Sequence, residues 1–127
     1  MNDQQYLQYC RDLLAEFSAS FARRSEHLPE DDPLRELADA FSRLCATPEE
    51  LYSQGPALVS RLFTTYPELA PLLPRQLLWF FGGDCLHFMA DDEIDQFQAL
   101  EEMRLQADAA GEPFDYQAAR AKLLNLQ

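Results

Sequence analysis

Basic side chains are scarce in this chain. Lys122 is the single lysine, and lysine and arginine together number 10 against 22 acidic residues, which gives a net charge of −12. Direct binding of nucleic acid depends on clustered Lys and Arg that neutralise phosphates. The only adjacent basic pair is Arg23 and Arg24. The charge balance therefore excludes an ordinary nucleic-acid-binding surface.

Long apolar runs are also missing. The longest wholly apolar stretch, residues 77–83, is far shorter than the roughly 20 residues that a membrane-spanning helix needs. The first residues contain no basic segment followed by a hydrophobic one, so we expect no signal peptide. These features predict a cytoplasmic protein without membrane contact.

Cysteine is limited to Cys10, Cys45 and Cys85, an odd number at wide spacing with no C-x-x-C pair. Each lies among apolar positions of a predicted helix, where a free cysteine usually behaves as a small buried hydrophobic residue. We expect three reduced core thiols, in agreement with the cytoplasm.

Apolar and aromatic residues are plentiful. They make up 47% and 12% of the 127 residues, which is typical of a packed globular protein rather than a disordered one. A chain of this length buries roughly two-thirds of its unfolded surface. We predict one domain over residues 1–127.

The apolar residues recur at steps of three and four, which predicts amphipathic helices, and no segment reads as a strand. The expected fold is an all-α single-domain bundle of about six or seven helices around a buried central helix. The predicted helices cover about residues 3–25, 47–54, 56–66, 77–89, 91–110 and 116–126, and a further helix begins at Pro33 with an apolar stripe that reaches Cys45.

Several helix ends carry recognisable signals. Asp32 precedes Pro33 as a predicted N-cap, and Thr47 with Glu50 predicts a capping box. Pro56 cannot donate a backbone hydrogen bond, so Gly55-Pro56 predicts a stop or a sharp kink. Asp91 and Asp115 are the predicted caps of the last two helices.

The predicted central helix is apolar on nearly every side, as expected for a helix surrounded by others. It holds the only tryptophan, Trp79, and the only Gly-Gly pair, Gly82 and Gly83. We interpret all three as packing residues, since the missing Cβ atoms would let another helix approach closely. The alternative breaks the segment at the glycines, with Asp84 opening a second short helix.

One group in this segment could carry chemistry. Asp84 and His87 are three residues apart and share a helical face, with Cys85 between them and Asp91 near the helix end. Carboxylate and imidazole groups at this spacing can bind a metal or transfer protons. A second ligand pair is missing, so we predict no metal and no cofactor, and interpret Asp84 as paired with His87 or an arginine at the core edge.

The final residues are rich in leucine. Leu123, Leu124 and Leu126 end the chain without a polar extension. Chain ends usually fray unless they dock on something. The last helix therefore either packs on its own bundle or forms a contact in a symmetric dimer.

Two stretches, WFFGGDCLHFMADDEIDQFQ and GEPFDYQAARAKLLNLQ, resemble small hypothetical proteins of Gram-negative bacteria. The resemblance covers about a third of the chain. It implies a bacterial origin and no particular chemistry, because that family has no assigned activity.

No common catalytic or phosphate-binding motif is present. We therefore favour a protein-binding adaptor or regulator, or a homodimeric accessory factor, with abundant aromatic residues for an interface. One alternative is a metal-binding or acid–base enzyme centred on Asp84 and His87, so the question of enzyme activity stays open. Another is an acidic inhibitor that imitates nucleic acid, which would need its acids in two parallel rows.

Overall fold

Helices form the regular structure of residues 1–123, the part of the chain that the computed structural model describes. No strand occurs in those residues, so the predicted all-α class is confirmed. Short 3₁₀ segments lie at Pro48–Glu50, Ala70–Leu72 and Gly83–Phe88. The α-helices of the described residues are α1 (Asp3–Ser25), α2 (Pro33–Ala46), α3 (Leu51–Thr65), α4 (Arg75–Phe81), α5 (Asp91–Ala109) and α6 (Tyr116–Leu123).

The chain divides into two compact units. The larger unit is Cys10–Phe88, and the smaller consists of Met1–Tyr9 together with Met89–Gln127. Helix α1 contributes its first residues to the smaller unit and the rest to the larger. The single domain over residues 1–127 stays a prediction. No helix of residues 1–123 has the length and apolar character to cross a membrane.

The core of the larger unit consists of the apolar faces of α1 to α4. Phe17 packs edge-on against Phe21 and Phe41, with ring centroids 5.5 and 5.2 Å apart. Such aromatic pairs add about 0.5–1.5 kcal/mol to the gain from burial alone. The three- and four-residue spacing therefore predicted the inward faces of α1 and α2 correctly. Other fully buried residues of this unit are Cys10, Leu37, Val59, Leu62, Leu73, Leu77 and Leu78.

Helix α3 continues through Pro56, so the stop predicted there is wrong, whereas a kink at Pro56 stays a prediction. A proline removes one backbone hydrogen bond, whereas Val59 and Leu62 beyond it are completely buried and hold the second half of the helix in the core. Gly55 lies directly against the ring of Phe81. A Cβ atom at Gly55 would lie 2.8 Å from Cζ of that ring, so this glycine permits the close approach of α3 and α4.

The structure confirms some of the predicted helix caps and contradicts others. The Asp32 carboxylate accepts a hydrogen bond from the backbone N–H of Leu34 at 2.9 Å, as predicted. Asp115 likewise caps α6, accepting from the N–H of Ala118 at 3.0 Å. The capping box at Thr47 is wrong, because its hydroxyl donates to the carbonyl of Arg43 at 2.9 Å and so closes the preceding helix. Asp91 is the first helical residue of α5 rather than its cap.

The predicted central helix over residues 77–89 is wrong in its extent. Helix α4 ends at Phe81, and the chain turns at Gly82 (φ 64°, ψ −152°) and Gly83 (φ 50°) before the 3₁₀ segment Gly83–Phe88. The conformation of Gly82 is essentially restricted to glycine. The alternative, a break at the glycines, is therefore the correct one.

The packing role predicted for the two glycines is also wrong. The nearest atom to a Cβ built on Gly82 is the carbonyl oxygen of Trp79 at 3.8 Å, and a Cβ on Gly83 has nothing within 4 Å. Both positions have positive φ angles that favour glycine, and among residues 1–123 only the carbonyl oxygen of Trp79 lies within 4 Å of either missing Cβ. Trp79 itself is half-buried.

Candidate functional site

Asp84 and His87 lie next to each other, but in solvent. His87 Nε2 is 3.9 Å from Asp84 Oδ1, and the two side chains are 81% and 96% exposed. The predicted position at the edge of the core is wrong, because the turn at the glycines carries Asp84 outward. An exposed pair of this kind is screened by water and contributes little to stability.

The other two residues of the predicted group do not complete a site. Cys85 is buried, and its burial, followed by the charge of Asp84, raises the pKa of its thiol, which disfavours the reactive thiolate. Asp91 is exposed at the start of α5, in the smaller unit. Within residues 1–123 no group of three or more His, Cys, Asp or Glu residues is placed to hold a metal ion.

The larger unit carries a row of three aromatic side chains, exposed at one end, that the sequence did not reveal. We call the row formed by Tyr52, Phe80 and Phe81 the aromatic surface. The ring centroids of Tyr52 and Phe80 are 5.4 Å apart, and those of Phe80 and Phe81 are 5.2 Å apart. Phe81 is buried against Gly55, Phe80 is half-buried, and Tyr52 is 61% exposed. The row therefore runs from the core to the solvent.

The position of Tyr52 has a measurable electrostatic consequence. Partial desolvation, followed by the influence of Cys10, raises the pKa of its phenol above the ordinary value of 10.0. The neutral hydroxyl is thus favoured over the phenolate at every ordinary pH. Tyr52 presents an apolar ring with an uncharged donor and acceptor at its tip.

The smaller unit contains an open groove of about 660 Å³ beside the end of α5, which we call the acidic groove. Apolar side chains and two carboxylates share its walls, and no Lys or Arg side chain does. The lining residues are Met1, Asn2, Gln5, Asp108, Gly111, Glu112, Pro113 and Phe114.

A buried arginine fixes one wall of this groove. Arg104 is only 3% exposed, and its Nη1 donates to Met1 O at 3.3 Å and to Asp3 Oδ1 at 3.1 Å. Its guanidinium carbon lies 4.7 Å from the ring centroid of Tyr6, a cation–π contact. The stripe of Phe97 and Leu100 on α5 predicts Met103 or Arg104 as the next inward residue, and the structure buries Arg104 and exposes Met103.

Helix α6 is docked on its own chain at its start. Tyr116 is buried, with its ring 5.7 Å from Tyr6 and 5.2 Å from Tyr9 between centroids. Leu123, one predicted interface residue, is half-buried at the end of α6. Leu124 and Leu126, the other two, lie outside the described residues.

The fold and these surfaces define an acidic, wholly helical protein in its described part. Comparison with family models gives the more particular assignment. The model of the PA2817-like family matches residues 2–127, so the chain belongs to this family of bacterial proteins, which has no assigned activity. The match covers nearly the whole chain, whereas the sequence resemblance was expected over about a third of it. No curated protein and no solved structure matches the chain.

Proposed function

We propose that this protein acts by binding another protein, as a cytoplasmic adaptor or regulator, through the aromatic surface. The observation that carries the proposal is the tilted contact between the rings of the exposed Tyr52 and Phe80. Tyrosine is enriched at binding hot spots because a large ring with few rotatable bonds loses little entropy on binding. Here Phe80, which itself contacts the buried Phe81, lies against the Tyr52 ring.

The surroundings of Tyr52 suit a partner that is apolar at the centre of its own surface. Glu49, Glu50 and Ser53 are exposed next to Tyr52 in sequence, so a polar rim adjoins the ring. Interfaces commonly combine an apolar centre with such a rim. A cytoplasmic location agrees with three free cysteines, two of them buried.

In a homodimer, the bound partner would be a second copy of this chain. The half-buried Leu123 supports a contact near the end of α6, while the docked Tyr116 supports packing within the chain. The enzyme alternative at Asp84 and His87 receives no such support, because two solvated side chains do not enclose a reacting group.

The test is photo-crosslinking in living bacterial cells. p-Benzoylphenylalanine would replace Tyr52 in one strain and Gln54, an exposed residue of the same helix, in a control strain. We expect a discrete crosslinked product at Tyr52 that is absent from Gln54 and that disappears when Phe80→Ala is added. A crosslink to a second copy would identify the homodimer. Equal products at both positions, or none, would refute the proposal.

Sedimentation of the purified protein separates self-association from binding to a different partner. If the interface is an apolar contact between copies, association persists or strengthens at high salt, because salt screens the repulsion between chains of charge −12. A protein that stays monomeric at tens of micromolar in both low and high salt excludes the homodimer.

A further inference from the structure

Acidic residues are distributed unevenly among the helices. The chain carries 22 of them, yet α3, α4 and α6 contain none. Helices α1, α2 and α5 each contain several. Two chains of charge −12 repel each other least where acidic residues are missing. The three acid-free helices therefore offer the surfaces on which two copies of the chain meet at the lowest electrostatic cost.

Two of these helices form the aromatic surface, with Tyr52 on α3 and Phe80 and Phe81 on α4. The 3₁₀ segment Pro48–Glu50 leads directly into α3, and its Glu49 is exposed three residues before Tyr52. Residues at this spacing lie on the same side of a helical segment. The aromatic surface is thus an apolar patch with a carboxylate at its rim.

The third acid-free helix, α6, is anchored at its start and open at its end. Within α6 the buried residue is Tyr116, whereas Lys122 is exposed and Leu123 is half-buried in the last turn. The sequence continues as LNLQ at positions 124–127, which lie outside the described residues. We call residues 120–127 the leucine-rich segment. Its sequence, RAKLLNLQ, combines three leucines and two basic residues without an acidic one.

The leucine-rich segment complements the aromatic surface in polarity and in charge. Its leucines match the exposed ring of Tyr52, and its Lys122 matches the carboxylate of Glu49. Each copy of the chain carries both halves of this contact. A two-fold dimer therefore forms the contact twice, which doubles the area that one such contact buries.

We propose that the aromatic surface of one copy binds the leucine-rich segment of a second copy, so that the chain forms a two-fold dimer. Leucine side chains cover Tyr52 and Phe80, and Lys122 pairs with Glu49. This inference rests on the proposed function, because it names the partner and the segment that the same surface binds.

Photo-crosslinking of the purified protein tests which segment lies on the surface. p-Benzoylphenylalanine replaces Tyr52, and copies labelled with light and with heavy nitrogen are mixed, equilibrated and irradiated. We expect mass spectrometry to find position 52 joined to residues 120–127, in products that link a light copy to a heavy one. The same probe at the exposed Gln54 should not give this product.

Three results would overturn the inference. The crosslink to residues 120–127 would join only peptides of the same isotope, which means contact within one chain. Alternatively, position 52 would crosslink to another part of the second copy, or the protein would be monomeric at tens of micromolar. A monomer that still gives a crosslink from position 52 to a different protein in living cells leaves the proposed function intact. A monomer with no product in cells refutes both.

Charge reversal tests the pairing of Lys122 with Glu49. Glu49→Lys makes the chain less negative and so reduces general repulsion, but the pairing predicts a dimer weaker by about threefold or more. Lys122→Glu should weaken the dimer to a similar extent. The chain with both substitutions keeps the parent charge and should return to within about twofold of the parent affinity. Sedimentation measures all three.

Glu68→Lys is the matched control, because Glu68 is an exposed carboxylate of the same unit beyond the other end of α3. It changes the charge as Glu49→Lys does and should not weaken the dimer. Circular dichroism would verify that each variant is folded, and all three substituted residues are exposed. If Glu49→Lys behaves like Glu68→Lys, or if the double variant is not restored, the proposed contact is wrong.

Discussion

At the scale of single residues, glycine serves two separate purposes in this chain. Gly55 is in a helix and leaves room for the ring of Phe81. Gly82 and Gly83 have positive φ angles, and no atom crowds their missing side chains. The first role depends on a neighbour and the second on the backbone alone. Substitutions can tell the two roles apart.

We predict that Gly83→Ala and Gly83→Leu lower the free energy of unfolding by similar amounts, about 1–2 kcal/mol. The reason is that any side chain with a Cβ strains the positive φ, while the space beyond it is open. Gly83→Asn should cost less, because asparagine tolerates this conformation better. Urea unfolding of the three variants provides the measurement. A leucine variant that is much less stable than the alanine variant would mean that Gly83 is packed after all.

Arg104 shows how a buried charge is incompletely compensated. Its Nε has no hydrogen-bond partner among the described residues, and the side chain of its acidic partner Asp3 is 84% exposed. A guanidinium in this position loses much of its hydration without a full set of buried partners.

We predict that Arg104→Met is as stable as the parent to within about 1 kcal/mol, or more stable. Methionine fills much of the space of the arginine side chain. Asp3 is exposed to water, so the loss of Arg104 leaves no buried carboxylate without a partner. Arg104→Ala should be less stable than Arg104→Met by about 2 kcal/mol or more, because it opens a cavity. Urea unfolding measures both. If methionine and alanine cost the same, the charged group itself provides the stability.

At the scale of helices, Asp32 and Thr47 show that two residues in similar sequence contexts can cap different helices. Asp32 binds the first turn of the helix that follows it, whereas the Thr47 hydroxyl binds the last turn of the helix that precedes it. Both residues precede a proline, so local sequence does not distinguish them. The backbone of Thr47 (φ −127°, ψ 76°) differs from the extended backbone of Asp32 (φ −67°, ψ 128°).

We predict that Asp32→Ala lowers the free energy of unfolding by about 0.5–2 kcal/mol, since it removes an N-cap bond to Leu34. Thr47→Ala should cost less than about 0.5 kcal/mol, because its bond lies at an exposed helix end. Thermal or urea unfolding of the pair gives the comparison. A larger loss for Thr47→Ala would revive the capping box that the sequence suggested.

At the scale of the whole molecule, the buried thiol of Cys85 and the half-buried thiol of Cys45 make stability depend on pH in the alkaline range. Burial raises the pKa of Cys85 above its ordinary value of 9.0, with Asp84 adding to the shift. Burial also raises the pKa of Cys45, against the opposing effects of Ser18 and Arg11. The unfolded chain therefore loses these protons at lower pH than the folded protein does.

We predict that the contribution of the two thiols to stability is fully present below pH 9.0, their ordinary pKa, and declines as the pH rises above it. Between its unfolded and folded pKa values each thiol contributes a slope of at most about 1.4 kcal/mol per pH unit. Urea unfolding over this range measures the decline, and Cys45→Ser with Cys85→Ala should flatten it. An equally steep decline in that double variant would assign the effect to other groups, such as Tyr52.

Much of the fold was predictable because it depends on short-range patterns. The spacing of apolar residues determined the all-α class and the inward faces of α1 and α2. Asp32 and Asp115 act as caps within a few residues of their own positions. The end of α4 was predictable only as an alternative, since a Gly-Gly pair permits both a break and a close contact.

The tertiary structure alone decided the features that depend on distant neighbours. Pro56 stays inside α3 because Val59 and Leu62 are buried by other helices, and Gly55 rather than Gly83 is the packed glycine because Phe81 lies against it. The same holds for the aromatic surface and for the groove beside the end of α5. Tyr52 joins Phe80 across 28 positions of sequence, and the acidic groove joins the first residues to the end of α5. Sequence periodicity fixes which face of a helix turns inward, but only packing determines which residues of separate helices meet.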